Sequence, residues 1–270
     1  DVQEPGDRVT AREGKKPACR RAADGKARER RETMGKKHAL RLAALDLDGT
    51  LAPVGRGIAP QTVRMLRELE ARGVRIALCS GKPVYYLCGL LRQVELERPL
   101  LLGENGAVFQ EGIDLPPERF AVLPYPPEAG EAFVRLKREL EAAVPGMWYQ
   151  PNQVGLTPFP RSEAEFARVA EVIAAARARG ALPGIEVYRH ADSFDIVPAC
   201  VSKAAGLALL HRELGIPPEE MAAVGDGVND FPMFAYAGLA IGIGVAHPEA
   251  VDANVRTVDE AMGILLARAE

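Results

Sequence analysis

Two aspartates separated by a single residue follow the first strongly apolar run of the chain. The segment Asp46-Leu47-Asp48-Gly49-Thr50 comes directly after the run that ends at Leu45. Two carboxylates held this close repel each other unless a cation or a shared proton relieves them, and a glycine lets the backbone approach an anion. The pattern favours a site for a cation and an anionic ligand, with a plain turn as the alternative. A calcium loop is excluded, because its twelfth position would be Gly57 rather than glutamate.

Three further polar groups stand where chemistry is plausible. Ser80-Gly81-Lys82 follows a second apolar run and offers phosphate oxygens a hydroxyl and backbone N–H groups, although such a segment is often only a turn. The segment from Gly225 to Asp230 follows a third run, and its two carboxylates and one amide are the hard oxygen ligands that magnesium prefers. Lys203 begins a helix that Ser202 can cap, a place where acids are usual. A solvated surface lysine is the alternative interpretation there.

The elements around these groups alternate between strands and helices, which is typical of βα units around a parallel sheet. Buried strands are predicted over residues 39–45, 74–79, 221–224 and 239–243. One helix is predicted from Pro60 to the stop at Gly73. Another runs from Ser202 to Leu214 and ends at Gly215. We therefore predict an α/β fold with a doubly wound, mostly parallel, Rossmann-like sheet, whose carboxyl-end edge brings the polar groups together.

The middle of the chain has a different pattern. Short β-like stretches, at residues 120–123, 147–150, 154–157 and 185–189, surround two long amphipathic helices. The second of these helices opens with a capping box from Ser162 to Glu165. Clustered prolines mark turns and linkers. We therefore predict an inserted α+β cap domain at residues 85–191, and a core made of residues 38–84 and 192–270.

Residues 1–37 are rich in charge, and their apolar residues are scattered singly. Such a segment cannot pack a core, so we expect a disordered tail, or a non-native leader in front of a true start near Met34. Arg and Lys outnumber Asp and Glu in it, which leaves a basic nucleic-acid-binding arm as the alternative. No aromatic residue is interleaved there to stack on bases.

The bulk composition limits the classes of function. The chain has 270 residues, of which 47% are hydrophobic, so it can bury a core. Its net charge of -3 produces no strong electrostatic field that would attract nucleic acid or an anionic membrane. Apolar runs fall short of the ~20 residues of a membrane span, and the four cysteines form no C-x-x-C pair. We expect a cytoplasmic protein with reduced thiols that acts on a small molecule, without a nucleic-acid or membrane partner. The sequence leaves monomer and homodimer open.

In this order, the polar groups resemble the four motifs of the haloacid dehalogenase-like (HAD) superfamily. The motifs are Asp46-x-Asp48-Gly49-Thr50, Ser80, Lys203 and Gly225-Asp226-Gly227-x-Asn229-Asp230, and the match spans nearly all of residues 40–265. The long insertion resembles the C2-type cap of the Cof-like and archaeal phosphoglycolate phosphatase-like branches. The segment from Gly103 to Ala107 resembles the Glu-Asn-Gly stretch of those branches. Ser80 stands where many relatives have threonine, and Lys82 where arginine is common.

The resemblance implies a magnesium-dependent phosphohydrolase for a small phosphate ester, such as phosphoglycolate or a sugar phosphate. It implies that Asp46 attacks phosphorus to form an aspartyl-phosphate and that Asp48 acts as general acid and base. The implied Mg²⁺ site comprises Asp46, the backbone carbonyl of Asp48 and Asp226, with Asn229 and Asp230 in support. The implied phosphate-binding residues are Ser80, Gly81, Lys203 and Gly49. Glu104 and Asn105 are candidate substrate contacts.

Two alternatives are open within this chemistry. A phosphotransferase or phosphomutase would use the same nucleophile and return the phosphoryl group to an organic hydroxyl, depending on how the cap admits water. A non-catalytic HAD-like binding module is the second alternative, although a mere binder would not need both Asp46 and Asp48. An ion pump with aspartyl chemistry is excluded by the lack of membrane spans.

Overall fold

The computed structural model describes residues 38–269, and the predicted tail of residues 1–37 lies outside them. The described strands are β1 (Leu42–Leu45), β2 (Arg75–Cys79), β3 (Leu100–Gly103), β4 (Val108–Glu111), β5 (Arg119–Val122), β6 (Trp148–Gln150), β7 (Thr157–Phe159), β8 (Ile185–Arg189), β9 (Phe194–Pro198), β10 (Met221–Gly225), β11 (Leu239–Ile243) and β12 (Ala253–Val255). The described α-helices are α1 (Pro60–Ala71), α2 (Val84–Leu91), α3 (Pro127–Ala143), α4 (Glu163–Ala178), α5 (Lys203–Leu214), α6 (Phe231–Tyr236) and α7 (Val258–Arg268).

Eight of the strands form one sheet in the order β12-β11-β10-β1-β2-β3-β4-β5. Strands β12 to β3 are parallel to one another, and β4 and β5 continue the sheet antiparallel. The predicted doubly wound, mostly parallel α/β fold is confirmed. The strand order reverses between β1 and β10, and in such sheets ligands bind in the crevice beyond the carboxyl ends of the strands at this reversal.

The central strands are apolar along their whole length because helices cover both faces of the sheet. Leu42 and Ala44 of β1 pack into a cluster with side chains of α5 and α6. Ala43 and Leu45, which point to the opposite face, pack with side chains of α1 and α7. This two-sided burial fixes the register of β1 and therefore the place at which the chain leaves the sheet.

The helix that follows the inserted module begins and ends where the sequence predicts. The Ser202 hydroxyl accepts a hydrogen bond from the backbone N–H of Ala205 at 3.2 Å, so it caps α5. Gly215 ends the helix in the left-handed region at φ 64°. The cap makes Lys203 the first residue of α5. Among residues 38–269, no helix combines the length and the apolar composition that a membrane crossing requires.

The inserted module has its own hydrophobic core, formed by α3, α4 and two small antiparallel sheets, β6-β7 and β8-β9. Its helix α4 is capped by Ser162 as expected. Residues 100–122 were predicted to lie inside this module, whereas they form β3, β4 and β5 of the main sheet. Strand β9, beyond the expected boundary, pairs with β8. We therefore propose that the module spans residues 124–199 rather than 85–191, because sheet membership depends on distant partners that short apolar runs do not reveal.

Candidate active site

Asp46 is the first residue beyond β1, at the point where the strand order reverses. Its backbone N–H donates to the carbonyl of Val224 on β10 at 2.9 Å, which places it level with the end of that strand. Asp226 and Asp230 follow β10 in the next loop. Carboxylate oxygens of Asp46, Asp226 and Asp230 all lie within 4.8 Å of one another. Segments far apart in the sequence therefore meet at one edge of the sheet, as the motifs predicted.

Lys203 lies between two of these carboxylates. Its side chain is fully buried, and its Nζ atom lies 2.5 Å from Asp46 Oδ1 and 2.5 Å from Asp230 Oδ1. Burial alone lowers the pKa of an ammonium group, but the attraction of Asp230 and Asp46 raises the pKa of Lys203 above its usual range. The lysine is therefore charged, and the alternative of a solvated surface lysine is wrong.

The aspartates carry more negative charge than one lysine can balance. The pKa of Asp46 is raised to about 6 by burial and by the carboxylates of Asp230 and Asp226, although Lys203 lowers it. Burial is also the main cause of the raised pKa of Asp226, and Asp230 adds to it. Three carboxylates around a single lysine leave a surplus of negative charge, which a bound cation would relieve.

The donor set fits a hard divalent cation, because it consists of carboxylate oxygens. Asp230 has both of its oxygens engaged: Oδ1 pairs with Lys203, and Oδ2 accepts the backbone N–H groups of Asp226 at 3.0 Å and Gly227 at 2.8 Å. Asp226 Oδ1 accepts the Thr50 hydroxyl at 2.7 Å. Asp230 therefore shapes the loop and holds the lysine, while the remaining oxygens of Asp46 and Asp226 are available to a cation.

Gly49 is required by the close approach of Asp226. Its φ of 90° lies in the left-handed region, and a Cβ added to it would lie 2.3 Å from Asp226 Oδ2. Any side chain at this position would therefore push away a candidate metal ligand. Gly55, in the same loop, also has a positive φ, of 69°, but a Cβ added to it would meet no described atom within 4 Å.

This pair of glycines provides a test of the cation site. We expect Gly49→Ala to weaken Mg²⁺ binding about ten- to hundredfold. The added methyl group would displace Asp226, and loss of a group that orients a metal ligand typically has an effect of this size. Gly55→Ala incurs comparable backbone strain without the clash, so its Mg²⁺ affinity should stay within about twofold of wild type. Calorimetric titration with Mg²⁺ measures both. Equal affinities in the two variants would contradict the placement of the cation beside Asp226.

Asp48 lies at the mouth of the site rather than among the buried carboxylates. Its side chain is 27% exposed, and its Oδ2 atom is 3.7 Å from Lys82 Nζ. The backbone N–H of Gly55 donates to Asp48 Oδ1 at 3.4 Å. A carboxyl group in this position is accessible to a ligand and to water, which general acid and base chemistry requires.

Ser80 and Gly81 begin the loop after β2. Ser80 is buried, and its backbone N–H donates to Leu102 O of β3 at 3.0 Å, which continues the pairing of the two strands. The hydroxyl oxygen of Ser80 accepts the backbone N–H of Lys82 at 3.2 Å. This bond uses only a lone pair of the hydroxyl oxygen, so the hydroxyl hydrogen can be donated to another group.

Glu104 and Asn105, the candidate substrate contacts, connect the core to the inserted module. The buried carboxylate of Glu104 accepts the backbone N–H groups of residues 153, 154 and 155 at 2.8, 2.8 and 3.3 Å. Asn105 Nδ2 donates to Asp195 Oδ2 at 2.9 Å. Asn105 Oδ1 accepts Asn229 Nδ2 at 3.5 Å, which places Asn229 at this junction. Both candidates therefore have intramolecular roles.

A family model described as haloacid dehalogenase-like hydrolase matches residues 43–115 and 177–261, more than half of the chain. The chain belongs to this family of haloacid dehalogenase-like hydrolases. The match covers the segments that carry Asp46, Ser80, Lys203 and Asp226. The resemblance drawn from the four motifs is therefore confirmed, and the phosphatases among the relatives of this chain confirm the enzyme class of a HAD-like phosphatase.

Named relatives support the same family. The chain is 31% identical to a phosphoglycolate phosphatase of Methanopyrus kandleri, over 80% of this chain and 88% of that protein. It is 28% identical to a phosphoglycolate phosphatase of Haloarcula marismortui, over 81% of this chain and 91% of that protein. A solved HAD-like hydrolase from Bacteroides thetaiotaomicron has the same fold, with a TM-score of 0.67, 22% identity, and coverage of 85% of this chain and 98% of that one.

Several polar residues of this HAD-like site were not predicted from the sequence. Thr50 was quoted within the first motif but given no role, although its hydroxyl orients Asp226. Asp195 was not identified, although an acid within the apolar strand Phe194–Pro198 is a signal that could have been used. It is buried, and its Oδ1 atom accepts the Thr157 hydroxyl at 2.9 Å. No sequence pattern pointed to Gln150, because its hydrogen-bond partner, the carbonyl of Gly81, lies in the core and far away in the sequence.

Proposed function

We propose that this HAD-like enzyme hydrolyses a small phosphate ester in a magnesium-dependent reaction, through an aspartyl-phosphate on Asp46. The observation that carries the proposal is the position of Asp46: it is buried at the strand-order reversal, held by Lys203 on one oxygen and flanked by Asp226. An aspartate kept only for folding would not need a surplus of negative charge around it. A reactive carboxylate that works beside a bound cation does need this surplus, because the negative charge attracts the cation.

The nucleophile is one carboxylate oxygen of Asp46, and the other oxygen of the group would remain for the cation. Its attack forms an Asp46 O–P bond and breaks the ester P–O bond, and the leaving oxygen takes a proton from Asp48. Water then attacks the same phosphorus, gives its proton to Asp48, and breaks the Asp46 O–P bond. Each step leaves Asp48 ready for the next one.

Charge at the reacting phosphoryl group is balanced by groups of this chain. The Ser80 hydroxyl and the Gly81 N–H donate to phosphoryl oxygens, and Lys203 supplies a fixed positive charge beside the nucleophile. Mg²⁺ would be held by Asp46, by the backbone carbonyl of Asp48 and by Asp226. When bound, it supplies Lewis-acid stabilisation of the phosphoryl charge and relieves the repulsion of the carboxylates.

Asp48→Asn should separate proton transfer from metal binding. We expect turnover to fall about 10²- to 10⁴-fold, because an amide can neither give nor take the proton. Affinity for Mg²⁺ should remain within about threefold of wild type, since the main chain of Asp48 is the ligand. Steady-state kinetics and calorimetric Mg²⁺ titration provide the two numbers. Equal losses of turnover and Mg²⁺ affinity would argue against the acid and base role.

For the substrate we propose phosphoglycolate, which is supported by the relatives named as phosphoglycolate phosphatases, with a sugar phosphate as the alternative within the same chemistry. The test is phosphate release from a panel that contains phosphoglycolate and several sugar phosphates, with Mg²⁺ and with EDTA. We expect release only with Mg²⁺, and the highest kcat/KM for phosphoglycolate. Release unaffected by EDTA would contradict the proposed chemistry. Transfer of phosphate to an added alcohol or sugar without net release would instead indicate a phosphotransferase.

A further inference from the structure

The loop from Ser80 to Lys82 is held by a hydrogen bond at each of its three backbone carbonyls. Two bonds come from the neighbouring turn of the core: Asn105 N donates to Ser80 O at 2.9 Å, and Glu104 N donates to Lys82 O at 3.0 Å. The third comes from the inserted module, where Gln150 Nε2 donates to Gly81 O at 2.9 Å. A side chain of the module therefore completes the support of a loop in the core.

Gln150 is held firmly in the orientation that this contact needs. It is the last residue of β6 and is only 8% exposed. Its amide nitrogen has two hydrogens, and the second is donated to Asn152 Oδ1 at 2.8 Å. Asn152 in turn donates to the Thr157 hydroxyl at 2.9 Å. Because these bonds lie within the module, the position of the Gln150 amide follows the position of the module.

The bond from Gln150 continues to the hydroxyl of Ser80 through one peptide group. The carbonyl of Gly81 and the N–H of Lys82 belong to the same planar peptide, and that N–H donates to Ser80 Oγ at 3.2 Å. A hydrogen bond at the carbonyl polarises the peptide and strengthens the N–H as a donor. The orientation set by Gln150 is thereby passed to the Ser80 hydroxyl, whose own hydrogen is free to be donated.

We propose that Gln150 of the inserted module is a positioning residue for the phosphate-binding hydroxyl of Ser80. This inference rests on the proposed function, because it takes Ser80 as a donor to the phosphoryl group. It makes the module a part of the phosphate site.

The module has a separate attachment to the core that does not involve Gln150. The carboxylate of Glu104 binds the backbone of residues 153–155, as described above. Loss of the Gln150 amide should therefore leave the module docked. If Gln150 served only to hold the module, its replacement would lower the free energy of unfolding and weaken the binding of phosphate and Mg²⁺ alike. A positioning role predicts weaker binding of phosphate alone.

Gln150→Met tests the proposal, because methionine has a similar length and shape but no N–H. Gln153→Met is the matched control, since Gln153 is exposed in the same segment. We expect the Kd of inorganic phosphate, measured by calorimetry with saturating Mg²⁺, to rise about three- to tenfold in Gln150→Met, as loss of one hydrogen bond allows. The Kd of Mg²⁺ alone should stay within about twofold. Gln153→Met should match wild type in both.

A phosphate Kd within twofold of wild type in folded Gln150→Met would overturn the inference, as would a parallel loss of Mg²⁺ affinity. If that variant fails to fold, Gln150→Glu takes its place: it keeps the size and turns an acceptor toward the Gly81 carbonyl, so phosphate should bind at least as weakly, and wild-type affinity would overturn the inference. Wild-type protein that neither binds phosphate nor hydrolyses esters would refute the proposed function itself. If the wild-type protein is active and the Kd of phosphate is unchanged in Gln150→Met, the positioning role alone is refuted.

Discussion

Replacing Asp46 by asparagine is expected to reduce turnover on the order of 10⁴- to 10⁶-fold, because the neutral amide oxygen is a poor nucleophile. The change keeps the shape of the side chain and an oxygen for Lys203, so the thermal unfolding midpoint should stay within a few degrees. Phosphate release at saturating substrate and Mg²⁺ measures the effect.

Asp114→Asn is the matched control for this substitution. Asp114 is exposed after β4, which runs antiparallel to β3 and therefore ends at the edge of the sheet opposite the site. Its turnover should equal that of wild type. Retention of more than about a tenth of wild-type turnover in Asp46→Asn would show that the phosphoryl group does not pass through this carboxylate.

Lys203→Met is expected to lower the free energy of unfolding by about 3–5 kcal/mol and to abolish turnover. Removing the lysine leaves Asp46 and Asp230 as buried carboxylates without their shared cation, which is the most destabilising way to break a buried ion pair. Urea unfolding in EDTA measures the loss without a contribution from bound metal. Lys137→Met, at an exposed lysine that pairs with Glu141 on α3 and lies over the Tyr149 ring, should change stability by no more than about 1 kcal/mol.

A double variant shows whether charge is the cause. Asp230→Asn removes one of the two uncompensated carboxylates, yet its amide oxygen can still accept the backbone N–H of Gly227. In the Lys203→Met background it should therefore restore part of the lost stability, whereas in wild type it should be destabilising. Additive effects of the two substitutions would show that Lys203 and Asp230 are not energetically coupled.

The place of the site was predictable from the sequence, because the carboxyl ends of parallel strands meet at one edge of the sheet. Asp46 and Asp226 each follow an apolar strand, so their meeting required only the topology that alternating strands and helices indicate. The register confirms this, since Leu45 of β1 lies beside Val224 of β10. The roles carried over from the family pattern remain proposals for kinetics to test.

The environment of each side chain was less predictable. Lys203 has the sequence context of a surface lysine, and only the convergence of Asp46 and Asp230 explains its complete burial. Glu104 and Asn105 follow a strand end, as ligand-binding residues do, but the side chains of both bond to the module, and that of Asn105 also bonds to Asn229. These outcomes depend on contacts between residues far apart in the sequence, 50 residues for Glu104 and Val154 and 157 for Lys203 and Asp46, which no local pattern encodes.

A phosphoryl group carried on Asp46 is tested most directly by trapping it. Wild-type enzyme mixed with substrate and Mg²⁺ is quenched within one turnover and reduced with borohydride, which converts an aspartyl-phosphate side chain into that of homoserine. Mass spectrometry of the tryptic peptide 42–56 should then locate the change at residue 46, and Asp46→Asn treated in the same way should lack it. An unmodified peptide from enzyme that is turning over at full rate, or a modification at Asp48 instead, would contradict the mechanism.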